Sequence, residues 1–227
     1  MPWETRGARL SLERKPEEMF SKETWYQADF LQPGFRLPFQ DKSFDFVICG
    51  HTIEDLSDPV PLLREMQRVG NRGVIECPSR LMEQTIGVRG RESCQPGHPH
   101  HHWIVESMNG ALLLYSKRDS RLVDRSTTLP LTVEEELTRS GQEPEFMRHF
   151  WEDRIEFQVY TGDVCLQKAR ALVTSKNVTL LEWTKDRVYR LGRRMRRRFR
   201  RLPPQEDVTW WTNIVATSKP YSRIVLK

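Results

Sequence analysis

Long apolar runs are missing from this 227-residue chain. The longest, such as Ala111 to Tyr115, extend over a few residues, far short of the roughly 20 that cross a bilayer as a helix. No transmembrane segment is expected. Cysteine is scarce too: Cys49, Cys77, Cys94 and Cys165 lie far apart with no Cys-x-x-Cys pair. That spacing argues against a disulfide framework and for reduced thiols in a cytoplasmic setting. Met1 is followed by polar and charged residues instead of an apolar stretch, so no secretory leader is expected. Internal repeats are absent, and the one low-complexity tract is a run of arginines. At 37% hydrophobic and 30% charged residues, the chain has material for a real but modest core. Its length suits one domain with an elaborate edge, or one domain plus a tail.

The net charge of +5 is unevenly spread. Arg187 to Arg201 holds nine arginines and no acid, which leaves the rest of the chain net acidic. Within Leu180 to Leu202, the residues Val188, Leu191, Met195, Phe199 and Leu202 recur at three, four, four and three. They form an apolar seam on a basic helix that Pro203-Pro204 ends. Arg187, Arg190, Arg193, Arg194, Arg196, Arg197, Arg198, Arg200 and Arg201 could meet a polyanion, either nucleic acid or an anionic membrane surface. The plainer alternative is a tail helix docked by its seam, with solvated arginines. Val208 to Lys227, with Trp210 and Trp211, reads as a packed terminal segment. Residues 176–227 are therefore taken as basic helix and tail, and residues 1–175 as the α/β body.

The most informative stretch is Leu37 to Arg80, which reads as strand, loop, helix and strand. Phe44 to Cys49 is a nearly continuous apolar run bounded by Asp41-Lys42-Ser43 and Gly50, which suits a parallel strand covered on both faces. Asp58 and Pro59 supply an N-cap and a first helical position, Leu62, Leu63, Met66 and Val69 make the buried stripe, and Gly70 stops the helix. Val74 to Cys77 is the next strand, and the unit is a right-handed crossover. Ligands of such open sheets sit beyond the carboxyl ends of the strands, so Cys49, Gly50, His51 and Glu54, then Pro78, Ser79 and Arg80, are the positions of interest.

The run LPF, polar turn, SFDFVIC, His51, IEDL, DP, a helix bearing Glu65 and Arg68-Val69, and the strand end IECPSR resembles the second half of a class I S-adenosylmethionine-dependent methyltransferase domain, of the type 11 kind. The likeness reaches upstream through SKETWYQADF and downstream to the HHHW motif, His100 to Trp103, and is weaker around Phe150 to Phe157. It implies a Rossmann-like α/β fold with the Phe44 strand central, S-adenosyl-L-methionine as cofactor, and methyl transfer to an unidentified acceptor. It also implies that Trp25 to Phe30 is a strand ending in Asp29, whose carboxylate meets the adenine amino group while the Phe30 amide meets a ring nitrogen. Cys49, Gly50 and His51 complete the implied cofactor contacts. The residues alone leave Asp29 open to a second role as a turn cap. Two departures stand out. Many members have His where this chain has Asp55, and the glycine-rich loop that holds the methionine part is not found, as if the chain begins partway through the domain. The activity would then be impaired. The alternative is a non-catalytic, methyltransferase-like adaptor carrying the arginine helix to RNA or a membrane.

Methyl transfer is an in-line displacement that needs alignment first and a base only where the acceptor must lose a proton. His51, Glu54 and His101 are the candidates, each with a structural alternative as loop or helix-start residues. Residues 81–120 read as an insertion. Cys94, His98, His100, His101 and His102 place five histidine and cysteine side chains within nine positions, yet the spacing fits no closed zinc pattern. No metal is assigned; the residues leave a substrate-facing cluster and plain loop packing both open, and the resemblance at HHHW favours the former. Trp103 to Glu106 and Ala111 to Lys117 form a hairpin across Asn109-Gly110. Leu131 to Ser140 is expected as a helix and Arg154 to Tyr160 as a late antiparallel strand of the main sheet. Val164 to Thr174 suits helix or strand.

Overall fold

A computed structural model describes Tyr26, residues 28–88 and residues 94–199, the last seven of these as backbone. Met1 to Ser21, Trp25, Gln27, the side chains of Arg193 to Phe199, which include Met195, and Arg200 to Leu202 and Val208 to Lys227 lie outside the described residues.

The Leu37 to Arg80 unit forms as its residues dictate. Strand β1 (Phe44–Gly50) leads through a 3-10 turn (Ile53–Asp55) into helix α1 (Val60–Val69) and back into strand β2 (Gly70–Pro78), which runs parallel to β1 with Ile48 opposite Val74. The Val60 amide donates to Asp58 Oδ1 at 3.0 Å, so Asp58 caps the helix start. Leu62, Leu63, Met66 and Val69 are all buried, against Val47, Cys49, Ile75 and Cys77 of the sheet. Each such side chain contributes about 1.5–3 kcal/mol through burial. Gly73 is required by this packing. A Cβ there would stand 2.2 Å from the Val47 carbonyl oxygen and 2.8 Å from the Trp151 ring.

The third strand of this sheet is β7 (Phe146–Glu152), antiparallel to β2 with Val74 opposite Phe150. It alternates Met147, His149 and Trp151 inward with Arg148, Phe150 and Glu152 outward. Two expectations are corrected here. The strand β1 lies at the edge of the described sheet instead of its centre, and it is covered on one face only. Ile48 is 43% exposed and Phe150 69%, since no described helix crosses that side. Tyr26, Ala28 and Asp29 form no strand, and Phe30 lies in a turn. A strand needs a ladder partner, and none of the described residues offers one there. Phe30 instead buries its ring edge-on against Phe35, with centroids 4.9 Å apart.

Beyond β2 the chain makes a short helix α2 (Arg80–Gln84), capped by Ser79 Oγ accepting from the Met82 amide at 3.2 Å, and a short strand β3 (Thr85–Ile86). The hairpin follows. Strands β4 (Trp103–Met108) and β5 (Ala111–Ser116) pair antiparallel across Asn109 and Gly110, both at positive φ, 52° and 77°. Strand β6 (Leu129–Pro130) pairs with β3 and runs into helix α3 (Leu131–Arg139). The Arg154 to Tyr160 expectation is corrected. Only Phe157–Tyr160 is a strand, β8, and it runs parallel to β5 in the hairpin's sheet. Helix α4 (Asp163–Ser175) decides the ambiguous segment, burying Cys165, Ala169 and Val173. Helix α5 (Leu180–Phe199) meets α3 through buried Trp183 and Asp186, whose Oδ1 accepts from the Thr132 amide at 3.3 Å. No helix among the described residues is long and apolar enough to cross a membrane.

Candidate functional site

The parallel pair β1–β2 ends at Gly50 and Pro78, and the loop after β1 folds back across that end. An added Cβ at Gly50 would meet nothing within 4 Å, so the backbone there borders open space. His51 adopts a left-handed φ of 48°, its amide donating to the Glu76 carbonyl at 2.8 Å. Its ring rests edge-on against Phe146, with Nδ1 3.6 Å from Glu54 Oε1 and Nε2 3.6 Å from Glu76 Oε1. The Glu54 carboxylate raises the His51 pKa above the ordinary histidine value, against the opposing effect of burial. Glu54 is 1% exposed, and neither carboxylate oxygen has a hydrogen-bond partner among the described residues. A buried carboxylate left in that state costs several kcal/mol unless something meets it. Cys49 and Cys77 line the buried side. Burial, reinforced by the Glu54 charge, pushes the Cys49 thiol up to about 12 and raises that of Cys77, so both are inert thiols.

Asp29 takes the plainer of its two readings in part. Its Oδ1 accepts the Leu31 amide at 3.1 Å, which caps the turn, and Phe30 is committed to the core. The loop beneath them is fixed to α1 by Glu65 and Arg68, whose contacts reach the Leu37 amide and the Leu37 and Phe39 carbonyls.

The histidine segment is tied to the same loop, because the His102 amide donates to the Glu54 carbonyl at 2.7 Å and Trp103 Nε1 to the Leu56 carbonyl at 2.8 Å. His101 is buried, with Nδ1 2.7 Å from Glu83 Oε1, while His98 Nδ1 lies 3.2 Å from the same oxygen. Lys117 Nζ contacts Glu83 Oε2 and donates to the His98 carbonyl at 2.7 Å. Burial opposes the Glu83 charge, but the His101 and His98 contacts and the Lys117 cation hold its carboxyl well below the usual range. On its other edge, His101 Nε2 lies 3.5 Å from Asp55 Oδ1, and His100 Nε2 lies 3.7 Å from that oxygen. Burial pushes the Asp55 carboxyl up to about 6. A cleft of about 350 Å³ opens beside His101 and His102, walled by Lys117, Arg118 and Leu122. Cys94 is exposed and takes no part in these contacts.

The structure thus gathers His51 and Glu54 at the strand end and His101 in an adjoining cluster. Sequence reading had not singled out Asp55 or Glu83 as cluster members. Glu83 carried one available signal, a lone acid within the apolar start of a short helix.

Residues 8–75 match the model of the methyltransferase domain family, a span that ends inside β2 and takes in β1, His51, Glu54 and α1. That span is similar to part of a class I methyltransferase domain. No curated protein and no solved structure matched the chain in the comparisons made. The end of β1 displays room at Gly50 and, at Glu54, a buried carboxylate with no hydrogen-bond partner among the described residues, and both suit a bound S-adenosylmethionine. Asp29, with one oxygen engaged by Leu31, fits it less completely.

Proposed function

We propose that this protein transfers a methyl group from S-adenosylmethionine to an acceptor that reaches His51 at the end of β1. The single observation that carries the reading is Glu54, whose buried carboxylate lacks any hydrogen-bond partner among the described residues beside a strand end with open space at Gly50. When bound, the cofactor supplies a methyl group on a sulfonium centre. Gly50, His51 and Glu54 would hold it, the Glu54 carboxylate accepting from its hydroxyl or ammonium groups. The protein's part is chiefly alignment, which reduces the barrier by fixing the reacting atoms in line. Where the acceptor must lose a proton, His51 takes it at a ring nitrogen, helped by the neighbouring carboxylates that favour the imidazolium. His101 is held by Glu83 on one edge and plays no proton-transfer role in this account. Thermal shift tests the assignment. Saturating S-adenosylhomocysteine should raise the Tm of the wild-type protein and raise that of Glu54→Gln by less, whereas an unresponsive wild-type protein overturns it.

A second reading has its own observation. On α5, Val188 is 65% exposed and Leu191 51%, so the described part of the apolar seam faces outward. Arg187 is exposed beside it, while Arg190 is drawn onto Asp186 at 2.7 Å. An outward face of aliphatic and arginine side chains suits an anionic membrane surface or RNA. Binding to anionic vesicles or RNA that falls steeply with salt and is lost when Arg187 and its neighbours become glutamine supports it; indifference to salt sinks it.

A further inference from the structure

Asp55 Oδ1 is buried and has no hydrogen-bond partner among the described residues, yet two imidazole nitrogens point at it. His101 Nε2 stands 3.5 Å away and His100 Nε2 3.7 Å away, and the three donor atoms lie within 4.8 Å of one another. Two ligands each about 2.0–2.1 Å from a tetrahedral zinc ion lie roughly 3.3 Å apart. The two separations from Asp55 Oδ1 exceed that by a few tenths of an ångström, within the reach of small side-chain rotations.

On its other edge His101 is held by Glu83, whose Oε1 lies 2.7 Å from Nδ1, and the ring so held turns Nε2 toward Asp55. A carboxylate on the far nitrogen of a ligating histidine is also the usual outer support of a zinc site, fixing the tautomer and the ring plane. Here Lys117 and His98 hold that carboxylate in turn. The other nearby trio, Glu83 with His98 and His101, is the poorer site. Its carboxylate oxygens are already engaged, and the Lys117 ammonium would repel a metal ion.

We infer that Asp55, His100 and His101 form a binding site for a divalent transition ion, zinc in the first place, with Glu83 orienting His101 from behind. Two imidazoles and one carboxylate leave a fourth position of the tetrahedron for water or an oxygen of a bound molecule, the pattern of open zinc sites. The inference does not depend on methyl transfer and goes beyond it. It also explains why counting histidine and cysteine spacings finds no zinc pattern: the third ligand comes from the loop after β1, 45 residues before His100 in the chain.

The test uses the full-length protein stripped with chelator, then titrated with zinc by calorimetry and with cobalt(II) by visible absorption. The expected result is one equivalent of zinc and the intense absorption of four-coordinate cobalt. Asp55→Ala and His100→Ala, with circular dichroism spectra unchanged, should each weaken zinc binding at least about 100-fold. Glu83→Gln should weaken it about 10- to 100-fold without abolishing it. Cys94→Ala should bind as wild type. Absence of stoichiometric binding overturns the inference. So does binding that survives Asp55→Ala and His100→Ala, or that disappears in Cys94→Ala.

Discussion

Arg68 meets Glu65 through two contacts, Nε to Oε1 and the second guanidinium nitrogen to Oε2, both at 2.7 Å. The same side chain donates to the Leu37 and Phe39 carbonyls at 3.0 and 2.8 Å, while Glu65 Oε2 accepts the Leu37 amide at 2.7 Å. The pair therefore clamps the approach loop to α1 directly below β1. Removing one member leaves the other charged and largely out of water. Arg68→Ala should cost about 3 kcal/mol in urea unfolding, and Arg68→Lys, lacking the planar fork, should recover only part of it. A loss below about 0.5 kcal/mol would mean that the clamp is a solvated surface pair.

Two glycines of the β1–β2 pair, one in mid-ladder and one at its carboxyl end, should respond in opposite ways. Gly73→Ala drives a methyl group into the Val47 carbonyl and the Trp151 ring, and should destabilise by about 3 kcal/mol or prevent folding. Gly50→Ala enters open space and should keep the wild-type Tm. If the cofactor reading is right, it should nonetheless weaken S-adenosylhomocysteine binding several-fold. Thermal melts with and without ligand separate the two effects.

The four cysteines should differ sharply in reactivity. Cys49, Cys77 and Cys165 are buried, and burial raises the pKa of each thiol, whereas Cys94 is exposed. A thiol-reactive dye under native conditions should label one equivalent, and Cys94→Ser should abolish that labelling. Fast labelling of a second thiol would show the β1–β2 core to be open.

His51 gives the strand-end site a pH dependence of defined sign. Its pKa is raised in the folded protein, so its contribution to stability is fully present below the ordinary histidine value of about 6.5 and is lost as pH rises through the folded value. The Tm gap between wild type and His51→Gln should accordingly be wider near pH 5.5 than near pH 9. A gap that grows with pH would remove Glu54 as its electrostatic partner.

Much of this architecture was readable before any coordinates. Asp58, the Leu62, Leu63, Met66 and Val69 stripe and Asn109-Gly110 each impose a local geometry, and each produced its element. What failed was non-local. Phe44 to Cys49 reads as a doubly covered central strand because an apolar run does not reveal which neighbours exist, and Ile48 proves open to one side. Phe146–Glu152 carries a clear alternation, and the similar pattern at Ile155, Phe157 and Val159 just after it competes with it for the same place in the sheet. In the site, His51 and Glu54 could be picked out by their place after a strand. Asp55 and Glu83 could not, because their meaning depends on histidines that only the folded chain brings beside them.

The account rests most heavily on the unpartnered carboxylate of Glu54 as the mark of a cofactor site, and calorimetric titration of S-adenosylhomocysteine tests that most directly. The wild-type chain should bind saturably at one site, and Glu54→Gln should lose at least about 10-fold in affinity with its circular dichroism spectrum unchanged. No saturable heat with the wild-type protein, or equal affinity in the two proteins, would contradict it.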